Sequence, residues 1–313
     1  MTSLTKYGNW PVYAVWGLIL AGAALSSAAD SPEPTYHSTV SEVRLTLFAT
    51  DEHNHSIDNL RSSDLAVVDN EFVVRKFRSF NLSSETNLDL VVLVDSSQSV
   101  LPHFRKEITE VLQLISQAQW TPDDNVSIVT FDGMEPHTIC AGNCRSSFSA
   151  DRAATLSTGG DTPLFDAMAW AARFLMQRRD PAVRPVIILF SDGEDTSSKV
   201  SAREAFEDLV MSEAQVYAVD VNRSVPASSG TLTLKRMAEV SGGRYVSIGE
   251  GAVKILHAVL DDLHSAYVLT YAPPASVAEF HSVRVLPTRN LNLQFRCRRG
   301  YYHPGSNDKK RSP

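Results

Sequence analysis

The spacing of hydrophobic and polar positions changes twice along this chain. From Ser38 to Phe80, apolar residues recur in short strand-like runs: Val40, Val43, Leu45, Leu47 and Ala49, then Leu65, Val67, Phe72, Val74 and Phe77. Turn formers such as Asp51-Glu52-His53-Asn54 and Asp69-Asn70 separate these runs, which predicts antiparallel strands. From Leu88 onward, runs rich in Val, Leu and Ile predict buried strands at 88–94, 125–131, 185–190, 215–220 and 244–248. Between them, apolar residues at three- and four-residue spacing predict helices near 101–119, 163–178, 201–213, 231–240 and 251–264. After Ser265 strand patterns return at 267–271, 281–286 and 291–295, with Pro273-Pro274 and Arg289-Asn290 supplying turns.

Alternating strands and helices imply an α/β unit, a mainly parallel sheet with helices on both faces. The β-rich flanks have about 50 residues each, marginal for separate cores but together the size of a β-sandwich. The expected architecture is therefore an α/β domain inserted in a β-sandwich built from both flanks. The expected boundaries are a signal peptide at 1–29, an N-terminal flank at 30–86, the α/β domain at 87–264, a C-terminal flank at 265–304 and a polar tail at 305–313.

The beginning of the chain reads as an export signal. Lys6 precedes an apolar run from Val12 to Leu25, and Ser27 and Ala29 satisfy the small-residue rule for cleavage after Ala29. The run is shorter than the ~20 residues of a comfortable span, although an uncleaved anchor remains an alternative. Export allows disulfides. Cys140-Ala-Gly-Asn-Cys144 could close a tight loop, whereas a C-x-x-x-C metal pair lacks a second pair nearby. Cys297 is then left over. A net charge of −7 with no basic stripe argues against nucleic-acid binding.

The chemistry concentrates after the first buried strand of the α/β unit. Asp95-Ser96-Ser97-Gln98-Ser99 occupies the loop at that strand's carboxyl end, where open α/β sheets bind ligands. One carboxylate and two hydroxyls at alternate positions can form half of a hard-cation site. Two further segments share that address. Thr162 stands just before the helix at 163–178, and Asp192 follows the strand that ends at Phe190-Ser191.

Together Asp95, Ser97, Ser99, Thr162 and Asp192 resemble the metal-ion-dependent adhesion site, or MIDAS, of von Willebrand factor type A (VWA) domains. That family draws its ligands from D-x-S-x-S, a Thr in a second loop and an Asp in a third. The flanking strands and the closing Arg299-Gly300-Tyr301-Tyr302 resemble the bacterial VWFA-related family of exported proteins. Two departures stand out. Gln98 and Val100 replace the Gly and Met common in this loop, and no acids follow Ser99 to build a second cation site.

The resemblance implies a Rossmann-like VWA fold with bound Mg²⁺, or Mn²⁺ or Ca²⁺. It implies Ser97 and Ser99 as direct ligands, Thr162 binding directly or through water, and Asp95 and Asp192 holding coordinated waters. Neutral hydroxyls leave much of the ion's charge uncancelled, so an Asp or Glu carboxylate from a protein partner gains by coordinating it. Catalysis fits less well. No G-x-S-x-G elbow or phosphate-binding G-x-x-x-x-G-K-[ST] loop occurs, and Ser97 stands where a haloacid-dehalogenase-type phosphatase needs its second Asp.

The leading expectation is an exported, non-enzymatic protein that binds a partner through its cation in adhesion or protein–protein interaction. The alternative is a cell-envelope scaffold whose metal only stabilises the fold. Other residues have plainer readings. Glu194 and Asp195 fit helix caps better than site tuning, Asp220 is as readily a strand-end residue, and His53-Asn54-His55 is a polar turn without a third ligand. Trp170, Phe174 and Met176 are assigned to core packing.

Overall fold

The computed structural model describes residues 42–83, 86–100, 109, 112, 115, 123–133, 135–142, 144, 159–222, 228–248, 251–275 and 279–302. The expected export signal, the N-terminal flank up to residue 41 and the polar tail lie outside the described residues. So does most of the helix expected at 101–119, of which Thr109, Leu112 and Ile115 are described and helical.

The α/β part contains strands β5 (Asn87–Asp95), β6 (Asn125–Asp132), β7 (Glu135–Cys140), β8 (Val183–Ser191), β9 (Gln215–Asp220) and β10 (Arg244–Ser247). Among the helices whose bounds are described are α1 (Leu164–Gln177), α2 (Ala202–Ser212), α3 (Ser229–Ser241) and α4 (Ala252–His264). The strands form one sheet in the order β10-β9-β8-β5-β6-β7, parallel except for β7, which runs antiparallel to β6.

Strand β5 lies at the centre, and the two-residue period of its side chains sends alternate residues to opposite faces. Leu90, Val92 and Val94 join Ile128, Ile188 and the α4 residues Ile255, Val259 and Leu263. Val91 and Leu93 join Val129, Ile187 and Leu189, and α1, α2 and α3 cover this face with residues such as Leu164, Leu175, Leu209 and Met237. Both faces of the sheet are therefore dry, as the near-continuous apolar runs predict.

The flank strands are β1 (Val43–Thr50), β2 (Leu65–Asp69), β3 (Phe72–Val74) and β4 (Ser79–Leu82) before the α/β part. After it come β11 (Tyr267–Tyr271), β12 (Phe280–Pro287), β13 (Gln294–Cys297) and β14 (Gly300–Tyr302). They form two antiparallel sheets, β13-β1-β11-β4 and β14-β12-β2-β3, each drawing strands from both sides of the α/β part. Leu45, Leu47, Val67, Leu269 and Val283 share one core.

Inside that core, the buried Asp69 accepts hydrogen bonds from Tyr271 at 2.8 Å and Tyr301 at 2.7 Å, and lies 2.7 Å from His281 Nδ1. Burial, with the Asp69 charge beside them, pushes both tyrosine hydroxyls well above their ordinary range.

Two strands differ from the pattern-based expectation. The strand expected at 291–295 begins later, as β13, and Leu291 is exposed in a turn. The Asn290 backbone carbonyl and side chain accept from Leu293 N and Asn292 N, and this local turn outcompetes sheet pairing. Edge strand β7 was not foreseen, because Pro136 and His137 interrupt its apolar pattern. Cys140 at its end is joined to Cys144 in a disulfide, with Cα atoms 5.7 Å apart, which settles the alternatives left open for that pair. Cys297 is free, and burial pushes its thiol up to about 11.

Replacing Asp69 with Ala would take the shared carboxylate from Tyr271, Tyr301 and His281 in a buried core and leave only the Tyr301–His281 contact at 3.0 Å among the three. The expected loss is roughly 3–5 kcal/mol of unfolding free energy, measured by urea denaturation. A loss below about 1 kcal/mol would contradict a structural role for this network.

Candidate metal centre

The carboxyl ends of β5 and β8 bring the first and third candidate loops together. Asp95 is the last residue of β5 and only 1% exposed. Its Oδ1 accepts from the Ser97 backbone N–H at 3.0 Å, and its Oδ2 accepts from the Ser191 hydroxyl at 2.7 Å. The first bond closes a tight turn that carries Ser97 and Ser99, whose hydroxyl oxygens lie 3.1 Å apart. The second ties the end of β5 to the residue immediately before Asp192. Burial pushes the Asp95 carboxyl up to about 6; hydrogen bonds from Ser97 and Ser191 oppose this, and the charge of Asp192 adds to it.

The second loop is pinned from both sides. Gln98 N donates to Gly160 O at 3.3 Å and Gly159 N donates to Ser96 O at 3.1 Å. Thr162 exchanges two bonds with Thr196: its N–H donates to Thr196 Oγ1 at 2.7 Å, and Thr196 N donates back to Thr162 O at 2.9 Å. The structure thus gathers the segments bearing Asp95, Ser97, Ser99, Thr162 and Asp192 at one end of the sheet. Ser97, Thr162 and Asp192 are buried, while Ser99 is exposed.

The acids after Asp192 do other work. Glu194 accepts from Ser229 Oγ at 2.8 Å and from Gly230 N at 2.9 Å, capping α3, and these bonds hold its carboxyl below the usual range. Asp195 bonds Ser198, and Ser198 Oγ accepts from Phe165 N at 3.0 Å and Asp166 N at 3.1 Å. Ser198 thereby caps α1, whose own preceding residue, Pro163, offers no side-chain oxygen. Asp220 is also structural, accepting from Thr231 at 2.7 Å and Tyr245 at 2.8 Å. The plainer readings of these acids therefore hold.

The reasoning from sequence missed Ser191, Thr196 and Ser198. Their signal was the hydroxyl-rich run Thr196-Ser197-Ser198 and the serine beside Asp192. No spacing rule assigns such residues to partners on distant loops.

Glycine is needed at one contact. A Cβ at Gly230 would stand 2.3 Å from the Asp192 carbonyl oxygen, and a Cβ at Gly193, where φ is +79°, would stand 2.2 Å from Gly230 O. The third loop and the start of α3 therefore touch through bare backbone.

Among the described residues, no cluster of three or more His, Cys, Asp or Glu could hold a metal ion. The centre is a different donor set, two carboxylates among hydroxyls. Oxygen-only donors suit a hard divalent cation, and burial disfavours the charged Asp95 where no cation stands beside it. The residues present fit such an ion.

A family model described as von Willebrand factor type A domain matches residues 89–252, just over half of the chain. The uncharacterized protein Rv2850c of Mycobacterium tuberculosis is 30% identical over 155 residues, covering 47% of this chain. The aligned part is 24% of that relative's length. Among solved structures, a manganese-loaded TRAP protein of Plasmodium vivax aligns over 75% of this chain and 98% of its own, at 15% identity and TM-score 0.43. An aerotolerance-related membrane protein of Bacteroides fragilis, carrying multiple mutations to serine, aligns over 56% and 98%, at 16% identity and TM-score 0.41.

Two substitutions test the framework around the centre. Gly230→Ala should cost about 1–3 kcal/mol by forcing the Asp192 turn away from α3, and Ser198→Ala about 1 kcal/mol through the lost α1 cap. Thermal or chemical denaturation reads both, and wild-type stability in either variant would contradict the corresponding contact.

Proposed function

The chain belongs to the von Willebrand factor type A family, whose members typically serve in protein–protein interaction and adhesion, and from that premise we propose that it binds a protein partner through a divalent cation. Ser97, Ser99 and Thr162 would supply neutral oxygens, with Asp95 and Asp192 behind them. The bound cation would supply a positive charge to which a partner's Asp or Glu carboxylate coordinates. The observation that carries this reading is the buried Asp95, held in place by Ser191 and the Ser97 N–H with its hydroxyl neighbours gathered beside it.

Each residue has a definable task. The Asp95–Ser191 bond fixes the two strand ends relative to each other, so the donor oxygens are set before any ligand arrives. Thr196 holds the backbone of Thr162 from both directions. Exposure of Ser99 leaves a route from solvent. A binding function is favoured over catalysis because the described acids around the hydroxyls are engaged in holding the loops, Asp95 with Ser191 and Asp132 with Ser96. The nearby Glu194 is bonded to Ser229 and the N-terminus of α3.

We read the two flank sheets as one β-sandwich domain into which the VWA domain, about residues 87–264, is inserted; the pairing of β1 with β11 and β13 supports this. The pattern of Lys6, an apolar run and Ser27/Ala29 supports export to the cell envelope or beyond. Among the described residues, no helix is long and apolar enough to cross a membrane.

The test is affinity capture from cell envelope in Mg²⁺, eluted with chelator, alongside Asp95→Ala and Thr162→Ala. Capture should require the metal and fall at least tenfold in both variants. Capture that survives chelation and both substitutions would overturn the reading. Mg²⁺ should also raise the wild-type melting temperature, with about 2.7 kcal/mol of stabilisation at a hundredfold excess over Kd. Loss of that rise in Asp95→Ala, with association intact, would favour a scaffold whose metal only stabilises the fold.

A further inference from the structure

At the opposite end of the parallel sheet, where β8 and β9 begin, lies a small cavity of about 20 Å³. Arg44, Arg184, Arg298, Glu213 and Gln215 line it. Arg184 is 1% exposed. Its Nη2 donates to the Leu263 carbonyl, while Nε and Nη1 have no partner among the described residues.

The other two arginines are similarly half-satisfied. Arg44 Nη1 donates to Pro181 O at 2.7 Å and Val183 O at 2.8 Å, and Nη2 has no partner among the described residues. Arg298 Nη2 donates to Arg44 O at 2.7 Å and Nη1 faces Glu213 at 3.3 Å, leaving Nε. Backbone carbonyls thus hold the guanidinium groups while some of their N–H groups remain unspent. Glu213, the carboxylate on the wall, is already shared between Arg298 and Arg179, the latter at 2.9 Å.

A guanidinium cannot lose its proton to escape burial. A buried cation without a counter-charge is costly. The wall carries three arginines and one shared carboxylate; the buried Asp124 and Asp262 also favour the Arg184 charge, but neither hydrogen-bonds its Nε or Nη1. Gln215 Nε2 donates to Gly242 O at 3.4 Å, and its Oε1 has no partner among the described residues.

We propose that this cavity binds a monatomic anion of the chloride class, which accepts the spare guanidinium N–H groups. The volume exceeds the roughly 10–15 Å³ needed for one water-sized occupant. The anion would join β1 to the starts of β8 and β9 and to the segment between β13 and β14. It would clamp flank strands to the α/β sheet, far from the candidate metal centre.

The test uses the full chain crystallised or soaked in bromide, with melting curves in chelator at matched ionic strength in chloride or sulfate. The expected result is an anomalous bromide peak among Arg44, Arg184 and Arg298. The melting temperature should be several degrees higher in chloride, and Arg298→Gln should remove that increment. Water alone in the cavity, or equal melting temperatures in the two salts, would overturn the proposal. Should Arg298→Gln fail to fold, the wild-type bromide map decides the matter.

Discussion

A carboxylate buried at the end of a fully buried strand must find hydrogen bonds, and Asp95 finds them in two different loops. Its bond to Ser191 locks the carboxyl end of β5 to that of β8, and its bond to the Ser97 N–H shapes the turn between them. A buried charge left unpartnered would cost several kcal/mol. The arrangement of the surrounding hydroxyls is therefore a consequence of satisfying one group. The same bonds that stabilise Asp95 present Ser97 and Ser99 side by side.

The loops around this point are braced by one another. Thr196 holds Thr162, Ser198 caps α1, and Glu194 caps α3. The bare backbone contact of Gly193 with Gly230 brings the third loop against α3. Pre-set donors need no rearrangement on meeting a ligand, and such pre-organisation favours affinity. A family built for binding gains from this rigidity without needing a catalytic base.

The two ends of the parallel sheet have opposite electrostatic characters. Hydroxyls and carboxylates gather where β5 and β8 end, and arginines gather where β8 and β9 begin. Each cluster sits where segments from separate elements converge. Flank strands contribute to the arginine end through Arg44 and Arg298. They contribute separately to a core whose polar centre is Asp69 with Tyr271 and Tyr301.

Local pattern alone determined the strand and helix order, the dry central strand and the address of the five candidate residues. Burial on both faces leaves a near-continuous apolar run, and strand ends attract polar turns. Tertiary structure decided what spacing cannot encode. Ser191, Thr196 and Ser198 act across gaps of roughly thirty to a hundred residues, so no local period marks them. Edge strand β7 and the late start of β13 depended on pairing partners and on a competing turn at Asn290. The joining of flanks separated by the whole α/β part arose from antiparallel pairing of β1 with β11 and β13. Periodicity shows which face of an element is buried, but only the folded chain shows what that face meets.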